Sequence, residues 1–276
     1  KHILYIRAQE RMFAGWGQTP GSRFAHAVAK PFVWANWRAL EALLSLQLKL
    51  GKTGLKPKAP IETGINCSVP IVTPGFFDLV ADGTIRCVQG TFEAYGAGEN
   101  GGQGHVRLTT GESVPCDLAV LAVGWKLGMP FLPDAYQAKL VDPDGQYRLY
   151  RLIANPDLPD MGFVGMNSSF ATVLSADLGA HWLVRYADGQ LARQPSEAEM
   201  RADIEANLKW RREERPAAGV YGGLCAAPFH FKHFDELIDD IGATVRRRNP
   251  IAENLTPPDA GAYARYLASA PQYQAA

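Results

Sequence analysis

Two runs of apolar residues, each ending in glycine, stand out along the chain. In the first, the polar opening Pro115, Cys116, Asp117 gives way to Leu118–Val123, and Gly124 and Trp125 follow. An unbroken apolar run with valine and leucine predicts a strand buried on both faces, as in a parallel or mixed α/β sheet. The closing glycine leaves room for a backbone or a ligand, because no Cβ stands in the way. The second run is Met161-Gly-Phe-Val-Gly165. Shorter segments, His2–Arg7, Ile85–Val88, Thr91–Tyr95, Val106–Thr110 and Tyr147–Ile153, also predict strands. The stretches 82–84, 96–104 and 110–112 carry turn chemistry between them. Residues 126–146, with Pro130, Pro133, Pro143 and Gly145, read as irregular.

Elsewhere the spacing is helical. Phe24–Leu50 is apolar nearly all round, which predicts a helix buried on several sides, with Pro31 at a helix start. Val173, Leu174, Leu178, Trp182 and Val184 form one face of a helix over about Ala171–Tyr186. Pro195-Ser196 followed by Glu199 is a capping box opening another, with Met200, Ile204 and Leu208 inward and Lys209–Arg215 as a solvated charged end. Asp235–Ile241 predicts a helix with Glu236, Asp239 and Asp240 facing water, and Tyr263–Ala268 a last one. Between the second glycine-ended run and its helix sits Met166-Asn167-Ser168-Ser169. That order aims N–H groups and a helix dipole at whatever lies beyond, which suits a phosphate or an electron-rich ring edge. An ordinary Ser/Thr N-cap has the same form, and both readings stand.

Composition narrows the classes. Lys+Arg and Asp+Glu each total 28 in 276 residues, so no basic excess argues for nucleic acid or an anionic membrane. The four cysteines, Cys67, Cys87, Cys116 and Cys225, lack close pairing and metal-ligand spacing, which fits reduced thiols in a cytoplasmic protein. His230 and His233 are three apart but have no third ligand at a convincing spacing, so they read as structural and no metal is expected. No apolar run reaches membrane-spanning length. Lys1 stands already inside a strand pattern, as though a front portion precedes it.

Several segments resemble flavin-containing monooxygenases. Leu121-Ala122-Val123-Gly124-Trp125 is similar to the family's A-T-G-Y segment, with Val123 for threonine and Trp125 for tyrosine. Residues 158–165, Leu-Pro-Asp-Met-Gly-Phe-Val-Gly, resemble its L-P-N-L-x-F-I-G strand. The helix through Trp182 and the run Leu191–Met200 resemble its C-terminal portion, and Tyr5–Ala8 the strand after its second glycine motif. No G-x-G-x-x-G leads from a strand into a helix, since the run 96–101 that has this spacing lies in the turn between two predicted strands, and the family's F-x-G-x-x-x-H signature does not occur.

The resemblance implies an α/β protein of the FAD/NAD(P)-binding two-domain Rossmann-like fold, truncated at its N-terminus. Residues 1–124 would be a partial NADP-binding domain with a helical insertion and a β-meander. Residues 125–276 would be the C-terminal part of the FAD-binding domain plus a helical tail. By itself such a piece is not expected to hold FAD or to be active. The implied chemistry is NADPH reduction of FAD, reaction with O₂ to a C4a-(hydro)peroxyflavin, and oxygen transfer to an amine, a sulfide or a ketone. The implied cofactor-binding positions are Arg7 for the NADP 2′-phosphate, Gly124 and Trp125 at the nucleotide junction, and Gly165, Asn167, Ser168, Ser169 and Thr172 toward the flavin. No side chain is assigned as a catalytic acid or nucleophile. The implied partners are a small-molecule substrate and O₂, with no membrane, and a homo-oligomer is compatible. Two rivals stay open: another flavin and pyridine-nucleotide oxidoreductase, against which the lack of C-x-x-C counts, and a non-catalytic binding module.

Overall fold

The computed structural model describes residues 5–65, 72–98, 102–123, 128–216, 223–244 and 249–274. The chain forms two compact units, one of Lys1–Glu41, Pro57–Ile71 and Met129–Ala276, the other of Ala42–Lys56 and Val72–Gly128.

In the first unit, α1 (Arg7–Glu10) precedes the long α2 (Pro20–Gln47), which continues into the second unit, and α4 (Ile61–Ile65) follows later. The rest is α6 (Asp134–Leu140), α7 (Thr172–Ala187), α8 (Glu197–Glu214), α9 (His230–Ile241), α10 (Pro250–Leu255) and α11 (Ala260–Leu267). The core lies where α7, α8 and α9 meet. Leu178 and Trp182 from α7 join Met200, Ile204 and Leu208 from α8 and Phe234, Leu237, Ile238 and Ile241 from α9. Each set recurs at three or four residues, so each helix turns one apolar stripe inward. The capping box at Ser196 and Glu199 is formed as expected. Helix α9 ends on Gly242 at φ 80°, a conformation glycine adopts without a Cβ penalty.

The second unit contains α3 (Leu50–Thr53), α5 (Phe76–Ala81) and the antiparallel meander β1 (Phe92–Gly96), β2 (His105–Leu108), β3 (Ser113–Pro115). Val106 pairs with Tyr95 on one side and Val114 on the other. Two of the expected strands are β1 and β2; Ile85–Val88 is irregular.

Several expectations need correction. Leu118–Val123 is not a buried strand: it is irregular, and Leu118, Val120 and Val123 are about four-fifths exposed. A run buried on both faces needs a neighbour strand on each edge, and the sheet found among the described residues is the antiparallel meander. Tyr147–Ile153 is broken by Arg151 and Leu152 at φ 52° and 57°, held there as Arg151 pairs with Asp240 at 2.8 Å and Glu236 at 3.1 Å. Asp240 is therefore buried instead of facing water. Met161–Gly165 keeps a single bridge, Ala154 to Gly162. Pro31 lies inside α2, where the carbonyl of exposed Ala27 can bond to water instead. Burial of α2 also fails, since only Trp37 is buried. Part of the span 126–146 is helical, as α6. Of the first predicted strand, Arg7 opens a helix, while His2–Leu4 lie outside the described residues.

Candidate functional site

The entry to α7 is the region where the glycine-ended run, the polar cluster and a helix start come together. Gly165 takes φ +89°, and a Cβ there would meet nothing within 4 Å, so the backbone faces open space. Asn167 is completely buried. Its Nδ2 donates to the Ser175 carbonyl at 2.9 Å and lies 2.9 Å from His233 Nε2, tying α7 to α9. Burial, then Arg151 and Arg211, push the His233 imidazole down to about 3, so it is neutral and its Nε2 can accept from the amide. Ser169 is buried too, with its Oγ 2.7 Å from Ser175 Oγ and accepting from the Ala171 N–H at 3.0 Å. The Ser168 carbonyl accepts from Ala226 N–H at 2.7 Å. Thr172 Oγ1 donates to the Ser169 carbonyl at 2.7 Å.

These bonds shape the helix start without capping it. The N-cap residue is Ala171, whose side chain offers no acceptor. Thr172 and Val173 in the first turn are exposed, Val173 by 85%. The sixteen-residue helix thus begins at solvent with its dipole uncompensated by a side chain. Of the residues expected here, Gly165, Ser168 and Thr172 lie toward the outside, whereas Asn167 and Ser169 point inward and brace the turn. A hydrogen-bonding cluster read from sequence does not say which way its side chains point.

Arg7 sits elsewhere in this unit. Its guanidinium forks onto Asp235 at 2.6 and 2.8 Å, pairs with Glu253 at 3.0 Å and lies over the Phe231 ring. Burial opposes the charge, yet Asp235, Tyr263 and Glu253 hold the group well above the usual arginine range. Two carboxylates already compensate this cation, and they would repel an incoming phosphate. As placed, Arg7 does not fit a 2′-phosphate; it clamps α1 to α9 and α10. Glu10 completes the clamp by accepting from the backbone N–H groups of Phe231 and Lys232, both at 2.8 Å. Burial nonetheless pushes its carboxyl up to about 7. Gly124 and Trp125 lie outside the described residues.

Sequence reasoning missed the inward cations at the C-terminal end of α8. Arg211 and Arg215, read as part of a solvated end, are each 5% exposed. The local aromatics Trp210 and Phe229, over which Arg215 lies, are the signal that could have revealed it.

Comparison with known proteins gives two curated relatives, both from Arabidopsis thaliana. A probable flavin-containing monooxygenase 1 is 28% identical over 223 residues, 79% of this chain and 40% of that protein. A putative flavin-containing monooxygenase 2 is 28% identical over 215 residues, 74% of this chain and 44% of that protein. The chain thus spans less than half the length of either. No family model matches, and no solved structure matches.

Proposed function

From its kinship with the flavin-containing monooxygenases, of which it matches a part, we propose that this chain contributes a flavin-facing wall to such an oxidoreductase. The observation that carries this reading is the uncapped N-terminus of α7 beside the open backbone at Gly165. The residues present fit the flavin ring: first-turn N–H groups can donate to its electron-rich edge, and Gly165 permits close approach. Thr172 and Ser168 would lie beside that edge, while Asn167 and Ser169 would act from behind as positioning residues. When bound, FAD would supply the activation of O₂ for oxygen transfer to an amine, a sulfide or a ketone. The protein's share is orientation, since the Asn167–His233 and Ser169–Ser175 contacts fix where the α7 dipole points. NADPH remains the reductant implied by kinship, with none of the described residues assigned to it.

Titration with FAD of the whole oxidoreductase to which the chain is proposed to contribute, followed by flavin fluorescence, tests this. Val173→Asp places a carboxylate at the helix start, where it supplies its own compensation for the dipole and repels the ring edge. It should weaken FAD by about tenfold while leaving stability unchanged or raised. Equal FAD affinity in the unaltered and the Val173→Asp oxidoreductase would remove the flavin from α7.

A further inference from the structure

The inward arginines at the C-terminal end of α8 border a small chamber that the flavin reading does not use. Its volume is about 20 Å³, and its walls include Arg211, Asn207, Asp203, Leu152 and Cys225. About 10–15 Å³ suffices for one water, so the chamber admits one guest of water size or slightly more.

Charge decides which guest suits it. Arg151 also borders the chamber, but Asp240 and Glu236 match it. Arg215 is engaged by the Cys225 carbonyl at 3.0 Å and by the Ala227 carbonyl. Arg211 is different. Among the described residues its guanidinium makes one hydrogen bond, a long one from Nη1 to the Tyr147 carbonyl at 3.4 Å, and no ion pair with a carboxylate within 4 Å. Burial, then the charge of Arg215, pull this guanidinium down to about 10, which still leaves it protonated at neutral pH. Asp203, whose carboxyl burial pushes up, faces the chamber too, and with Asp142 it favours the charge, but their pull does not outweigh burial and Arg215.

Two further features favour an anion. Asn207 Oδ1 is buried without a partner, and turning that amide over presents an N–H₂ donor instead. Gly223, at φ +68°, clears space beside the guanidinium, since a Cβ there would come within 2.7 Å of Arg211 Nη1. A buried cation short of partners gains most from a counter-charge that needs no further solvation.

We propose that this chamber binds one small monovalent inorganic anion of chloride size, held by Arg211 with the Asn207 amide beside it. The competing occupant is a water bridging Arg211 to Asp203. The proposal stands apart from the flavin reading, and its test involves no flavin.

Thermal melts at fixed ionic strength, with gluconate exchanged for chloride, should show Tm rising with chloride and levelling off about 3 °C higher. Bromide should act alike. Arg211→Met should abolish the chloride-specific increment whatever its own baseline. Should that variant fail to fold, Arg211→Lys keeps the charge and should move the midpoint to higher chloride. Asp203→Asn removes the competing carboxylate and should move it to lower chloride. The proposal is overturned if the unaltered chain shows no chloride-specific rise, as a bridging water would require, if Arg211→Met keeps it, if Arg211→Lys leaves the midpoint unmoved, or if Asp203→Asn abolishes it.

Discussion

Helices α2 and α9 are both rich in large apolar residues, yet they end in opposite environments. Of its twelve residues α9 buries eight, including Phe231, Phe234, Leu237, Ile238 and Ile241. The twenty-eight residues of α2 bury only Trp37, and Phe24, Phe32, Trp34 and Leu46 are each more than three-fifths exposed. The difference lies in arrangement. Helix α9 confines its apolar residues to one side and meets α7, whereas those of α2 run around the helix and no single neighbour can cover them. Apolar content says that a segment can be buried; a single stripe says that one partner can do it.

Substitutions can sharpen or break that contrast. Phe234→Ala should cost the most, about 3–5 kcal/mol in urea unfolding, because it opens a cavity among fully buried side chains. A loss under about 1 kcal/mol would mean that the core is not packed as described. Arg7→Met should follow at about 3 kcal/mol, since it removes the buried guanidinium with which the partly buried Asp235 and Glu253 pair. Circular dichroism melts with the double variant Arg7→Met, Asp235→Asn should recover part of the loss if the clamp is real.

The pH dependence probes the inner face of α9. His230 is held down to about 3 by burial and then by Arg7, and His233 likewise by burial and its arginine neighbours. Unfolding releases both to the ordinary histidine range near 6.5. The unfolded chain therefore binds more protons between those values, and stability is lost as pH falls below about 6.5. Glu10, raised to about 7, acts in the opposite sense, so its contribution declines as pH rises from about 4.5 to 7. With two histidines against one carboxylate, the net expectation is acid destabilisation. His230→Phe, in a pocket of Phe170, Phe231 and Phe234, should flatten the slope; an unchanged profile would remove His230 as a source.

The smallest effect should be that of Phe32→Ser on α2, within about 0.5 kcal/mol. A cost like that of Phe234→Ala would show that something covers α2 in solution, and the comparison between the helices would fail.

What the chain's own pattern determined was local: the helices α7, α8 and α11, the capping box at Ser196 and Glu199, the strands β1 and β2, and the polar entry to α7. Spacing and cap chemistry act over a few residues, so they can be read in one pass along the chain. Tertiary structure alone decided the rest. It left Leu118–Val123 exposed, turned Asn167 and Ser169 inward, gave Arg7 to Asp235 and Glu253, and drew Arg211, Arg215 and Asp240 into the interior. Those outcomes depend on partners more than two hundred residues away in the chain, and a buried charge costs least where such a partner or an aromatic face receives it.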